Sequence, residues 1–305
     1  MPERFTGRVL QFTAGVYRIH TSGDTLECSL RGAAKRYAGE PVAIGDLVAV
    51  ERLPDGSCRI TEVLPRTSRL SRHSTARRRE QVLAANVDQV AAVFAAQRPD
   101  PDVRLLDRLL AVAELHDLPA LIVINKMDLA EREDVPGPFA AYVELGYRIL
   151  PTCVKTGAGL EDLLVELSGK ITVFTGPSGV GKSSILNAIL PELDLRVGKV
   201  GEKSGRGKHT TSAGLLIPLP GGGYLADTPG IQYFEPAGVE PADLAHAFRE
   251  FRPRVAHCRF ANCRHRAEPG CAVLEAVADG SVSEHRHESY LSLLEAAEDA
   301  QGYSS

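Results

Sequence analysis

ITVFTGPSGVGKSSILNAIL, residues 171–190, decides the fold. An apolar, β-branched run leads into Gly176-Pro177-Ser178-Gly179-Val180-Gly181-Lys182-Ser183, and a helix-forming run follows, beginning with Ser184. Strand, glycine-rich loop and helix in that order are the setting of a phosphate-binding loop of pattern G-x-x-x-x-G-K-[ST]. Glycines let backbone N–H groups converge on phosphate oxygens, and the helix N-terminus adds positive potential. Lys182 is placed to reach the β- and γ-phosphates, and the Ser183 hydroxyl to ligate Mg²⁺.

Working outward, the same grammar extends from about residue 82 to 235. VDQVAAVFAA (87–96) and ALIVIN (120–125) are continuous apolar runs suited to buried parallel strands. Between them, VRLLDRLLAVAELH puts Leu105, Leu106, Leu109, Leu110 and Ala113 on one helical face. YRILPT, KITVFTG and GGYLADTPG read as further strands, so the segment is an α/β sheet covered by helices.

Two more motifs stand at strand ends, where such sheets bind ligands. Asn125-Lys126-Met127-Asp128 follows ALIVI. A carboxylate at Asp128 can accept from guanine N1–H and the 2-amino group. Adenine offers neither donor, so the residue argues for GTP over ATP and against a nucleotide kinase built on the same loop. Asp227-Thr228-Pro229-Gly230 follows GYLA. Asp227 suits Mg²⁺ through water, and the Gly230 amide suits a γ-phosphate sensor.

The flanks differ. Residues 1–70 carry short β-rich runs (GRVLQFTAGVYRIH, TLECSLRG, DLVAVERL, CRITEVL) separated by turns, which predicts a small closed barrel such as an OB-fold. Arg66, Arg69, Arg72, Arg77, Arg78 and Arg79 follow, with the single acid Glu80, and read as an exposed linker able to meet RNA backbone. From about 236 the chain is helical and charged, with PADLAHAFREF and SYLSLLEAAEDA as helices and few apolar residues to hold them. Cys258, Cys263, His265 and Cys271 have the spacing C-x4-C-x-H-x5-C, which suits one closed, structural Zn²⁺ site. His257, His285 and His287 read as spare surface residues or RNA contacts, and Arg252, Arg254, Arg259, Arg264 and Arg266 as basic residues for the same partner. Cys28, Cys58 and Cys153 are scattered, as buried thiols are.

The 305 residues suffice for the three units 1–70, 71–235 and 236–305. With 44% hydrophobic and 24% charged residues the balance is globular. A net charge of −4 excludes a uniformly basic nucleic-acid binder but not a local patch. No apolar run approaches the roughly 20 residues that span a bilayer, and the N-terminus lacks a signal peptide's pattern, so a cytoplasmic protein is expected.

The guanine reader precedes the phosphate loop, whereas ordinary small GTPases begin with that loop. Permuted order, N-terminal barrel and C-terminal Cys/His cluster together resemble the ribosome small subunit-dependent GTPase A family over nearly the whole chain. The resemblance implies that Cys153-Val154-Lys155 stands where the family packs a Ser-Ala-Lys loop on guanine, with Cys for Ser and Val for Ala. It implies that Gly205–Ser212 is switch I, with Thr210 or Thr211 on Mg²⁺ and Ser212 where a third Thr is usual. Ile231 follows Gly230 where small GTPases place a water-orienting Gln, which leaves His209 as the candidate catalytic group. The family's role implies a late check on small-subunit assembly, with rRNA as the surface bound. An asymmetric partner of that kind favours a monomer. The order of the motifs also leads switch I and Asp227–Gly230 straight into the zinc segment, a short covalent route for nucleotide state.

Overall fold

The computed structural model describes residues 3–30, 36–37, 40–74, 79–130, 137–191, 214–227 and 239–302. The first strands are β1 (Glu3–Thr13), β2 (Val16–His20) and β3 (Thr25–Leu30). The two-residue β4 (Arg36–Tyr37) and β5 (Glu40–Pro41) pair with each other, and β6 (Leu47–Arg52) and β7 (Cys58–Val63) follow. Strands β1-β2-β3-β7-β6 close into a barrel in that order, with β3 and β7 parallel and the other pairs antiparallel. Alternation drives the closure: Val9, Tyr17, Ile19, Val48, Val50 and Ile60 point inward and form the barrel core. The expected five-stranded barrel is present.

The arginine-rich stretch is not a linker. β8 (Arg69–Ser74) and β9 (Arg79–Ala85) form an antiparallel hairpin, and residue 70 falls inside its first strand. The reason is apolar: Leu70, Ala84 and Ala85 are completely buried, and Leu70 and Ala84 join the core of the sheet that follows.

That sheet is built from β10 (Gln89–Ala95), α1 (Val103–Leu115), β11 (Ala120–Asn125), a 3-10 turn at Met127–Leu129, α2 (Gly137–Glu144), β12 (Arg148–Pro151), α3 (Leu160–Leu167), β13 (Ile171–Thr175), α4 (Lys182–Ile189), β14 (Leu215–Pro218) and β15 (Tyr224–Asp227). The strand order is β12-β11-β10-β13-β15-β14, parallel except for the antiparallel edge pair β14–β15. The chain runs outward from β10 to β12, then returns to β13 on the other side of β10. The crevice between β10 and β13 is therefore the switch point at which such sheets bind ligands. Sequence reasoning missed β14, whose Leu215-Leu216-Ile217 run ends at Pro218, a residue that suits a sheet edge.

The C-terminal unit comprises α5 (Pro241–His246), α6 (Arg252–Val255), α7 (Ala272–Ala278) and α8 (Glu284–Gly302). It has more core than its composition suggests: Leu244, Phe248, Phe251, Val273, Tyr290, Leu293 and Leu294 are buried together, with Ala111 of α1 among them. The expectation of a segment with little apolar support is corrected accordingly.

Contacts among the described residues join the units. His20 Nδ1 and Tyr224 Oη lie 2.8 Å apart between barrel and β15. Ala85 donates to the Ile44 carbonyl at 2.9 Å, beside Gly45. Helix α1 packs on the sheet through Leu106, Leu109, Leu110 and Ala113 and meets α5 and α8 with its other side.

Candidate nucleotide and metal sites

The phosphate loop runs from the end of β13 to the start of α4, beside β10. Its glycines are steric requirements. Gly176 has φ +144°, and a Cβ there would lie 2.0 Å from the Val93 carbonyl oxygen. Gly181 has φ +96°, and a Cβ would lie 2.3 Å from Asn125 Nδ2. Lys182 Nζ donates to the Gly176 and Pro177 carbonyls at 2.7 Å each, which holds an ammonium inside the loop.

The guanine-reading motif is bolted to this loop. Asn125 ends β11, is buried, and donates from Nδ2 to the Val180 carbonyl at 2.9 Å. Lys126 adopts φ +61° and donates from Nζ to the Gly179 carbonyl at 2.6 Å, and also to the Arg98 carbonyl. Asp128 lies in the 3-10 turn and faces the loop after β12. Lys155 donates to one of its oxygens, and the buried Cys153 thiol approaches the other at 3.4 Å. The Lys155 bond, followed by that of Cys153, holds the Asp128 carboxyl below the usual range although partial burial opposes it. The Lys155 ammonium is correspondingly pushed up by Asp128. Val154 is half-buried against the apolar side of the same sheet. Asn125, Lys126, Asp128, Cys153, Lys155 and residues 176–183 thus form one continuous lining, with Ser183 and Ser184 in the first turn of α4.

Asp227 ends β15, next to β13. Thr228, Pro229, Gly230, Ile231, and the switch I residues His209, Thr210, Thr211 and Ser212 lie outside the described residues.

In the C-terminal unit the structure brings together Cys258, Cys263, His265 and Cys271, whose ligand atoms all lie within 4.8 Å of one another. Cys258 Sγ and Cys271 Sγ are 3.9 Å apart, and His265 Nδ1 is 3.6 and 3.3 Å from them. A tetrahedral ion with metal–sulfur bonds of about 2.3 Å sets its sulfurs about 3.8 Å apart, so the donor set fits a metal ion. All three cysteines are free. Burial pushes the Cys263 thiol up to about 12 and raises that of Cys271 as well, so these two stay protonated unless a cation replaces the protons. Glu268 organises the loop by accepting from the N–H groups of Arg264 and Arg266, each at 2.8 Å, and of Ala267 at 3.1 Å. Burial raises its carboxyl, but those three donors outweigh burial and hold it at about 2.

The basic residues divide sharply. Arg66 leaves the set of RNA-contact candidates: its guanidinium is only 5% exposed and grips Asp46 through two bonds of 2.7 and 2.9 Å. A buried bidentate pair closes the barrel and offers nothing to a partner. Arg69 is exposed on β8, Arg72 and Arg79 lie on the hairpin strands, and Arg77 and Arg78 lie outside the described residues. Arg264 and Arg266 both bind Glu298, Arg252 binds Glu114, and Arg254 donates to the Glu250 carbonyl. His287 is buried with Nε2 2.7 Å from the His265 carbonyl oxygen, so it is not a surface residue. His285 Nε2 stands 3.3 Å from Asp107 Oδ2, at ion-pair distance but out of line for a hydrogen bond.

Sequence reasoning missed a buried cluster between α1 and the C-terminal helices. Asp107 accepts from Arg286 and from Tyr142, each at 2.6 Å, and Arg286 also binds Glu250 at 2.7 and 3.1 Å. The available signal was Asp107 itself, a charge inside an otherwise apolar helical run.

A phosphate loop on β13, tied by Asn125 and Lys126 to a guanine reader that precedes it in the chain, defines a circularly permuted phosphate-loop GTPase. The chain belongs to the RsgA GTPase family, which matches residues 63–237. It is 46% identical over 94% of its length, and 96% of the relative's, to the small ribosomal subunit biogenesis GTPase RsgA of Gemmatimonas aurantiaca. Its fold resembles that of YjeQ from Thermotoga maritima, with TM-score 0.74 and 34% identity over 96% of this chain and 98% of that one. It likewise resembles YloQ, described as a circularly permuted GTPase, with TM-score 0.74 and 31% identity over 97% and 96%. Among the described residues no helix is long and apolar enough to cross a membrane.

Proposed function

We propose that this GTPase acts late in maturation of the small ribosomal subunit, binding its rRNA and hydrolysing GTP to GDP and phosphate when the subunit stimulates it. The observation that carries the reading is the physical link between base reader and phosphate loop, Asn125 to Val180 and Lys126 to Gly179. One ligand must touch both, and a guanine nucleotide has the matching parts. The relatives' role in small-subunit biogenesis supplies the partner.

Asn125, Lys126, Asp128, Cys153, Val154 and Lys155 hold the base, Gly176–Ser184 the phosphates, and Asp227 and Gly230 the γ-phosphate side. Mg²⁺ would be held by Ser183, by Thr210 or Thr211, and by Asp227 through water, and would supply charge neutralisation on the phosphates. His209 is the group that activates water. One structural Zn²⁺ binds Cys258, Cys263, His265 and Cys271. Arg69, Arg72, Arg77, Arg78 and Arg79 remain the rRNA-facing candidates. The protein works in the cytoplasm as a monomer, in three units. The first boundary, set at residue 70 from the sequence, moves ahead of β8 because Leu70 belongs to the core of the sheet. The second stays after residue 235, and the last unit is 236–305.

The deciding measurement is multiple-turnover GTP hydrolysis with and without small subunits, large subunits serving as control. A strong increase with small subunits alone is expected. Equal rates in all three would sink the proposal, and a His209→Ala protein that keeps full stimulated turnover would remove that residue from it.

A further inference from the structure

The loop between β10 and α1 (Ala96–Asp102) contains none of the motifs that define the site, yet it lies against two of them. Lys126 Nζ bridges the Gly179 carbonyl of the phosphate loop and the Arg98 carbonyl. Pro99 closes the same contact from the other side: a Cβ on Gly179 would meet Pro99 Cδ at 3.7 Å. Arg98 has φ +54°, a left-handed conformation costly for a non-glycine residue. Such outliers persist where neighbours hold them, and here the neighbour is the guanine-reading Lys126.

The side chain that leaves this position is exposed, and among the described residues no carboxylate pairs with it. Its charge is felt at Lys155, where it opposes the upward pull of Asp128. Arg98 therefore stands at the junction of base reader and phosphate loop, on the loop that contacts both Lys126 and Gly179. Lys126 is answered by the Gly179 and Arg98 carbonyls and Lys155 by Asp128, which leaves Arg98, among the described residues, without a carboxylate of its own. An electron-rich ligand edge beside Lys126 is the partner left for the Arg98 guanidinium.

We infer that Arg98 is an additional nucleotide-binding residue, its guanidinium contacting the ribose and outer base rim of the bound guanine nucleotide. The inference rests on the nucleotide-site reading above. A guanidinium offers five N–H donors in a fixed plane, suited to ribose oxygens and to stacking on a purine face. Because the contact is with the nucleoside end, it strengthens GTP and GDP binding by the same factor.

The test is calorimetric titration of the full-length protein with GDP and with a non-hydrolysable GTP analogue, at fixed Mg²⁺, for wild type, Arg98→Ala, Arg98→Lys and Asp128→Asn. Arg98→Ala should weaken both ligands equally, by roughly threefold to tenfold, and Arg98→Lys by less. Circular dichroism and a thermal melt on the same samples establish that each variant is folded, and Arg98→Lys, which keeps the charge and the stem, serves if the Ala variant is not. Affinities equal to wild type in both variants would overturn the inference. A loss confined to the GTP analogue would also overturn it, because that places the guanidinium at the γ-phosphate. If Asp128→Asn leaves the affinity for both guanine nucleotides unchanged, the site reading itself fails, an outcome distinct from a silent Arg98.

Discussion

At the scale of single residues, the site is made by tethers more than by charges. In the proposed guanine site, Lys155 and Cys153 fix the two oxygens of Asp128, and Asn125 ties the strand end before it to the phosphate loop. Asp128→Asn exchanges an acceptor for a donor opposite two guanine donors, so GTP affinity should fall about a hundredfold or more, and xanthosine triphosphate, which offers an oxygen in place of the 2-amino group, should gain. Competition binding with the two nucleotides reads the exchange, and an unchanged ratio would remove Asp128 from base recognition. Glu268 gives a pH-dependent case. Its carboxyl is held at about 2 against an ordinary 4.5, so its contribution to stability is complete above pH 4.5 and disappears as pH falls toward 2. Glu268→Gln should lower stability by about 1 kcal/mol at pH 6, a figure kept small because the group is largely solvent-screened. The gap between denaturant melts of the two proteins should narrow as pH falls from 4.5 toward 2, and a constant gap would show that the carboxylate charge is irrelevant.

At the scale of elements, α1 repays the closest reading. Its apolar face was legible in the sequence, and Leu106, Leu109, Leu110 and Ala113 are buried where the periodicity puts them. Its second role was not, because Asp107 looks like a break in the stripe until Arg286, 179 residues away in sequence, is seen against it. Local patterns report which face is buried; they do not report what it is buried against. The same limit explains the arginine-rich hairpin, where charge hid Leu70 and Ala84. It explains why the phosphate loop, guanine reader and cysteine spacing were all readable, since each carries its chemistry within a few residues. Arg286 is 4% exposed, serves two carboxylates and lies over the Phe248 ring at 4.5 Å. Removing it leaves Asp107 and Glu250 buried without a counter-charge, so Arg286→Ala should cost about 3–5 kcal/mol in urea unfolding. The triple change Arg286→Met, Asp107→Asn, Glu250→Gln should cost markedly less, because no charge is stranded. Equal losses would mean the cluster acts by packing alone.

At the scale of the whole molecule, the question is how nucleotide state reaches the C-terminal unit. The motif order suggests the covalent route through Asp227–Gly230, but the described contacts supply a second route through α1. The helix starts immediately after the loop that touches Gly179 and Lys126, with Asp102 capping it by accepting from Leu105 N–H at 3.0 Å. One turn later Asp107 is locked to Arg286, and at the far end Glu114 is held by Arg249 at 2.7 Å and by Arg252. Ala111 sits in the C-terminal core while Leu110 sits in the core of the sheet. A helix shared by two cores cannot shift in one without disturbing the other. Losing the metal should therefore be felt at the nucleotide. If the proposed Zn²⁺ site offsets the ordering cost of the C-terminal unit, a Cys258→Ser, Cys263→Ser protein loses that support, and α1 loses the partner of its outer face. Hydrogen exchange over residues 96–115 should rise, and GDP affinity at constant Mg²⁺ should fall several-fold, although no substituted residue touches the nucleotide. Substitution is preferable to chelation here because a chelator also strips Mg²⁺. Protection of 96–115 unchanged while the C-terminal helices lose theirs would show that α1 holds its place without them, and would leave the covalent route as the path between the two sites.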